Sequence, residues 1–164
     1  DDDGHELPPG ELGRLAVRGP TGCRYLADER QRSYVQDGWN ITGDTCLMDG
    51  DGYVAYHTRR DDMIISSGYN ISGLEVENTL LQHPAVAECA VIGEADTARG
   101  QVVAAYVVAK PGLAGPALEA ALQEHVRQAI APYKYPRIVR FIDALPRNES
   151  GKVQRFRLRK DTTT

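Results

Sequence analysis

Residues 59–77 read Arg59-Arg60-Asp61-Asp62-Met63-Ile64-Ile65-Ser66-Ser67-Gly68-Tyr69-Asn70-Ile71-Ser72-Gly73-Leu74-Glu75-Val76-Glu77, and this stretch decides the fold. The charged run Arg59-Arg60-Asp61-Asp62 separates two differently organised regions and is the candidate boundary between them. Met63 to Ser67 has the apolar character of a short strand, and Ser67-Gly68-Tyr69-Asn70 has the residues of its turn. Ser72-Gly73-Leu74-Glu75 has the S-x-x-E form of a capping box, so a helix is expected from there to about Gln82. His83-Pro84 stops it, because proline disfavours helical geometry in the residue before it.

Downstream, Glu88 to Ile92 and Val102 to Val108 are apolar, Val-rich strands joined by a polar loop around Asp96 to Gly100. Pro116 suits a first helical position. Behind it Leu118, Ala121, Leu122, His125, Val126, Ala129 and Ile130 follow the helical period before Ala131-Pro132. His125 lies on that stripe as a core or boundary residue. Ile138 to Ile142 reads as a strand, Leu145 to Val153 as a turn-rich basic hairpin, and Phe156 to Lys160 as a short helix.

Upstream, Gly13 to Gly19 alternates apolar and polar residues as a strand does. A loop with helix-compatible residues runs to Tyr34, and Asp37-Gly38 marks a turn. Thr45 to Tyr56 reads as a hairpin around Asp49-Gly50-Asp51-Gly52. That turn has a superficial likeness to a calcium loop, but its twelfth position is Arg60, where a carboxylate is needed. A plain turn is the better reading.

The chain has 164 residues, 41% of them hydrophobic and 26% charged, the balance of a globular domain with part of a second. No stretch reaches the roughly 18 consecutive apolar residues of a membrane helix, so no membrane partner is expected. The opening Asp1-Asp2-Asp3-Gly4 lacks an initiator Met and is expected to lie within a longer protein. Cys23, Cys46 and Cys89 are odd in number and without a CxxC pair, which disfavours a disulfide framework and fits the cytoplasm. His5, His57, His83 and His125 are equally scattered, and no metal site is expected on them.

Charge is uneven. Residues 1–109 hold 8 Lys/Arg against 18 Asp/Glu, whereas residues 110–164 hold 11 against 5. A basic end can serve an anionic ligand or be a solvated surface. Nucleic acid is the weaker option for the tail Lys152, Arg155, Arg157, Arg159 and Lys160, which interleaves only Phe156 for stacking.

Three segments stand out: Gly38-Trp39-Asn40-Ile41-Thr42-Gly43-Asp44, residues 59–77, and Leu145-Pro146-Arg147-Asn148-Glu149-Ser150-Gly151-Lys152-Val153-Gln154-Arg155. Each alone has an ordinary reading as a turn, a solvated charge run or a hairpin loop. In this order they resemble the acyl-adenylate-forming superfamily of acyl-CoA synthetases, luciferases and peptide-synthetase adenylation domains. They match its GWxxTGD, GRxDDxIxxSGYxxxxxEVE and LPRxxxGKxxR segments. The resemblance runs from Gly10-Glu11-Leu12 to Arg155.

The resemblance implies an α+β fold. Residues 1–60 would end the large, β-rich N-terminal domain, and residues 61–164 would form the small mobile C-terminal domain, a short antiparallel sheet with packed helices. Missing would be the phosphate loop and most of the acyl pocket. The implied activity is ATP-dependent formation of acyl-AMP from a carboxylate, followed by transfer to coenzyme A. The partners would be the carboxylate, ATP or AMP, CoA and the chain's own N-terminal domain. Mg2+ is expected with ATP but ligated by the missing domain.

The resemblance also implies roles. Lys152 would be the catalytic lysine, a point charge suited to phosphate. Asp44 would accept hydrogen bonds from the ribose hydroxyls, and Arg59 would reach the nucleotide beside it. Asp61 would be the hinge about which the small domain turns. Ser67, Gly68 and Tyr69 would face the pantetheine of CoA, with Gly68 allowing close approach. Asn70 stands where many acetate and fatty-acid members carry a basic residue. With Thr21-Gly22-Cys23-Arg24-Tyr25-Leu26-Ala27-Asp28, it makes the chain most similar to benzoate- and 2-aminobenzoate-CoA ligases. A non-catalytic interaction module with the small-domain fold is the alternative.

Overall fold

The computed structural model describes residues 1–20 and 27–160, with Arg30, Ser33 and Lys160 described by backbone alone. Cys23 and most of the segment 21–28 lie outside the described residues. The chain divides into two compact units, Asp1–Asp61 and Asp62–Thr164.

In the first unit, β1 (Leu12–Val17) runs antiparallel along β3 (Trp39–Met48), with a short helix α1 (Arg30–Tyr34) between them in sequence. On β3, β2 (Val35–Gln36) and β4 (Val54–Arg59) also pair antiparallel. The β2–β3 connection is the two-residue turn Asp37-Gly38, both with positive φ (49° and 81°). Such turns match the twist of the strands they join. β3 starts earlier than the hairpin expected from Thr45, because the Trp39–Asp44 segment is itself strand. The Asp49 carboxylate accepts backbone N–H groups of Asp51 (3.0 Å) and Tyr53 (2.8 Å), so that loop is a side-chain-capped turn. Among the described residues of this unit only Cys46 and Thr58 are buried.

The second unit is α+β. Its sheet has the order β6 (Tyr69–Ser72), β5 (Met63–Ser66), β8 (Gly100–Ala109), β7 (Val86–Asp96), and β9 (Ile138–Phe141) adds to β8. β7 and β8 form one long antiparallel hairpin from Val86↔Ala109 to Asp96↔Gly100. β9 lies parallel to β8, so the sheet is mixed rather than purely antiparallel. A parallel neighbour needs a crossover, and α3 (Pro116–Ala129) supplies it.

Helix α2 (Gly73–Leu80) begins at Ser72, whose hydroxyl accepts the Glu75 N–H at 3.4 Å, as the capping pattern requires. It ends two residues before the expected Gln82. There Gln82 N–H bonds to Thr79 O and His83 N–H to Leu80 O, tightening the chain ahead of Pro84.

The apolar runs of β7 and β8 are buried on both faces, which is why they lack polar alternation. One face packs Val91, Val103, Ala105 and Val107 against Val76, Leu80, Leu118, Leu122 and Val126 from α2 and α3. The other packs Ala90, Ile92, Ala104 and Tyr106 against Leu145 and Leu158, the latter on α4 (Arg155–Lys160). Two buried carboxylates of this unit are paired. Glu94, 7% exposed, meets Arg140 and the Tyr106 hydroxyl (2.9 Å). Bonding to Glu94 raises the Arg140 pKa above its ordinary value. Glu77, 6% exposed, accepts the Val91 N–H at 2.8 Å and Arg155 Nη2 at 2.8 and 2.9 Å. Among the described residues no helix is long and apolar enough to cross a membrane.

Two outcomes are expected. Arg155→Ala leaves the Glu77 carboxylate buried without its counter-charge and destabilises the second unit by about 3 kcal/mol. Adding Glu77→Gln, whose amide oxygen still accepts from Val91, recovers part of that loss. Urea midpoints of the 164-residue chain measure both, and a loss under about 0.5 kcal/mol would show the pair to be peripheral. Burial pushes the Cys89 thiol up to about 12. In a Cys23→Ser, Cys46→Ser background at pH 8, Cys89 is therefore expected to react with a thiol reagent only as fast as the unit unfolds. Immediate labelling would mean that the β7 face is open.

Candidate functional site

In the first unit, Asp44 and Arg59 sit opposite each other on β3 and β4. Arg59 Nη1 lies 3.3 Å from Asp44 Oδ1, and Nη2 donates to Thr42 O at 3.3 Å. The Thr42 hydroxyl donates to Leu15 O on β1 and accepts the Asp44 N–H, both at 3.2 Å, so the Thr42-Gly43-Asp44 backbone is fixed from two sides. Gly43 has φ 80°, and a Cβ there would come within 3.1 Å of Arg59 Nη2. A glycine is what lets the guanidinium lie across the strand. Asp44 is 24% and Arg59 52% exposed, so both present free edges to solvent. Burial and then the Asp44 charge raise the pKa of the Cys46 thiol.

In the second unit, Lys152 follows a tight loop. Asn148 Oδ1 accepts from the Lys152 N–H (2.8 Å) and the Ser150 hydroxyl (2.9 Å), while Asn148 N–H donates to Lys152 O (3.0 Å). Arg147 braces it from outside, donating to Gly151 O (2.6 Å) and to Glu88 (2.5 Å). Only the bridge Arg147↔Val153 is sheet-like, so the expected hairpin reduces to a braced turn. Neighbouring cations are committed: Arg147 to Glu88, Arg155 to Glu77 and Arg159 to Asp62. Lys152 is exposed and pairs with no carboxylate among the described residues.

Ser67-Gly68 is the two-residue turn between β5 and β6, with φ of 50° and 83° and Ser66 paired to Tyr69. Gly68 is therefore needed first for the left-handed backbone, and nothing lies within 4 Å of where its Cβ would be. Ser67 N–H donates to Arg99 O at 2.9 Å. Tyr69, 53% exposed, stacks on Tyr133 with ring centroids 4.4 Å apart and planes at 23°. The next residue, Lys134, contacts both Glu75 oxygens at 2.7 and 2.6 Å. Asn70 is exposed on β6 opposite Ile65.

Asp61 is the last residue of the first unit, exposed in the 3₁₀ turn Arg60–Asp62. Asp62, its neighbour, is held by Arg159 at 2.7 Å and lies 4.0 Å from Arg155. The sequence reading missed the partners Glu77, Arg155, Tyr133 and Lys134. Glu77 and Arg155 stood inside quoted motifs, a signal that they matter but not that they meet.

Residues 75–152 match the AMP-binding enzyme C-terminal domain. The human mitochondrial acyl-coenzyme A synthetase ACSM5 is 46% identical over 169 residues, covering 97% of this chain and 29% of that protein. The Bacillus subtilis (strain 168) protein YtcI, an uncharacterized acyl–CoA ligase, is 42% identical over 164 residues, covering 97% and 31%. The crystal structure of the anthranilate CoA ligase AuaEII with anthranoyl-AMP superposes with a TM-score of 0.87 at 40% identity, over 98% of this chain and 32% of that one. The chain spans less than a third of the length of each. Fold, motif residues and relatives agree: the chain carries the C-terminal domain of the AMP-binding enzyme superfamily and is a homologue of the acyl-CoA synthetases.

Proposed function

We propose that the chain is the C-terminal part of an ATP-dependent carboxylate–CoA ligase, and that Lys152 is its catalytic cation in the first step. One observation carries this reading. Among the described residues Lys152, on a braced loop, pairs with no carboxylate, while Arg147, Arg155 and Arg159 near it in sequence are paired. A rigid loop that withholds one ammonium from internal pairing keeps it for an external anion.

In the first step a carboxylate oxygen attacks the α-phosphorus of ATP, and the bond to pyrophosphate breaks. Two anions, the carboxylate and the α-phosphate, must approach, and the Lys152 ammonium offsets the charge of both. Asp44 accepts from the ribose hydroxyls, its orientation fixed by Thr42 and Arg59. In the second step the thiol of CoA attacks the acyl carbon and AMP leaves. For this step the small domain turns about Asp61, replacing Lys152 by the Ser67-Gly68-Tyr69 turn. Two carboxylate-pairing arginines, Arg155 and Arg159, anchor Asp62, so the backbone change falls on the Asp61 side.

The Mg2+ that accompanies ATP has no fitting ligand set among the described residues. The group of three potential ligands there is Asp1, Asp3 and His5, all exposed, and an imidazole is a poor partner for so hard a cation.

The acid is read as an aryl carboxylate, supported by the 40% identity to an anthranilate CoA ligase. The higher identity, 46%, to a mitochondrial acyl-coenzyme A synthetase favours a second reading with an acid of another class. Pyrophosphate exchange with benzoate, 2-aminobenzoate and straight-chain acids separates the two. The free, buried Cys46 and Cys89 support a reducing compartment, read here as the cytoplasm.

The 164-residue chain alone is expected to show no carboxylate-dependent ATP–pyrophosphate exchange, and robust exchange by the purified chain would overturn the partition of the site. In the complete ligase, Lys152→Ala should slow adenylation by about 10²–10³. Thioester formation from supplied acyl-adenylate should stay near wild type, and single-turnover kinetics of the two steps measure this. Equal slowing of both steps would remove Lys152 from its assigned role.

A further inference from the structure

We infer that Tyr133 is a positioning residue for the Ser67-Gly68-Tyr69 turn, acting through its stack on Tyr69. The inference rests on the reading of that turn as the face that meets the thiol.

The turn needs an external hold. Ser67, Gly68, Tyr69 and Asn70 are all exposed, and Ser67 occupies the left-handed backbone region without being glycine. A two-residue hairpin tip with no buried side chain opens easily. From the β8 side it is tied by one bond, Ser67 N–H to Arg99 O at 2.9 Å. A further tie comes from the 3₁₀ turn Pro132–Lys134, which follows α3. That short turn grips the β6–α2 segment at two successive residues. Tyr133 lies over Tyr69 at 4.4 Å, and Lys134 holds both oxygens of Glu75 in the first turn of α2.

The two contacts divide the work. Glu75–Lys134 sets where the 3₁₀ turn sits against α2. The ring of Tyr133 then limits the positions open to the Tyr69 ring, and so to the backbone of the hairpin tip. Tyr133 is 43% exposed, so core packing does not account for an aromatic residue there. Its contact is with a residue of the proposed site. Losing an aromatic pair of this kind changes an equilibrium roughly two- to tenfold.

The test measures thioester formation from supplied acyl-adenylate in the complete ligase, at CoA below saturation. Tyr133→Ala should lower the rate roughly two- to tenfold. Tyr133→Phe, which keeps the ring, should restore it. The double variant Tyr133→Ala, Tyr69→Ala should be no slower than Tyr69→Ala alone, because both remove one contact. Additive losses, a Tyr133→Phe variant as slow as Tyr133→Ala, or a Tyr133→Ala variant at full rate while Tyr69→Ala is slow would overturn the inference. If Tyr69→Ala itself keeps the full rate, the reading of the turn as the thiol face falls instead. Hydrogen exchange at the amides of residues 67–70 in the 164-residue chain then decides the positioning. Faster exchange in Tyr133→Ala than in Tyr133→Phe supports it, and equal exchange overturns it.

Discussion

The second unit is organised around a buried carboxylate. Glu77 projects from α2 to the edge strand β7, takes the Val91 N–H there, and is neutralised by Arg155. A charge in that position is costly unless every oxygen is used. Satisfying it fixes three elements at once: the roll of α2, its height on β7, and the point at which the chain after Lys152 must return. Lys152 stands three residues before Arg155, so the loop that presents the ammonium is indexed to the core through this pair. The quoted motifs end on these two residues, Glu77 and Arg155, and their contact gives a physical reason for motifs 78 positions apart to travel together.

Local chemistry was legible in the sequence. Asp37-Gly38 and Ser67-Gly68 name two-residue turns, Ser72-x-x-Glu75 names a helix start, and Pro116 names another. Each acts over a few residues, so the signal and its effect lie together. The Val-rich runs of β7 and β8 announced strands. What escaped was long-range. Nothing in Ile138 to Ile142 says that it pairs parallel to β8, because that depends on where α3 delivers it. The Trp39–Asp44 segment drew attention as a motif, which masked its plain role as the first half of a long strand.

The site divides in the same way. The candidate residues Asp44, Arg59, Lys152 and the 67–69 turn came from motif resemblance, and the structure supplies reasons for their surroundings. Gly43 makes room for Arg59, Asn148 shapes the loop before Lys152, and Gly68 serves a left-handed turn rather than only an open approach. Tyr133 and Lys134 were invisible, since they lie 64 and 59 residues from the groups they touch and carry no motif of their own. Side chains that work by holding another side chain leave no spacing to read.

The ion pair between Asp62 and Arg159 has a further consequence. Residue 62 opens the second unit and residue 159 is in its last helix, yet their side chains meet at 2.7 Å. The unit is closed on itself, entrance beside exit, like a loop of cord drawn through one knot. A turn imposed at residue 62 is therefore passed directly to α4, at the far end of the described sequence, and not only along the first strand. The same closure ties the helix that follows the lysine loop to the residue at which the unit begins.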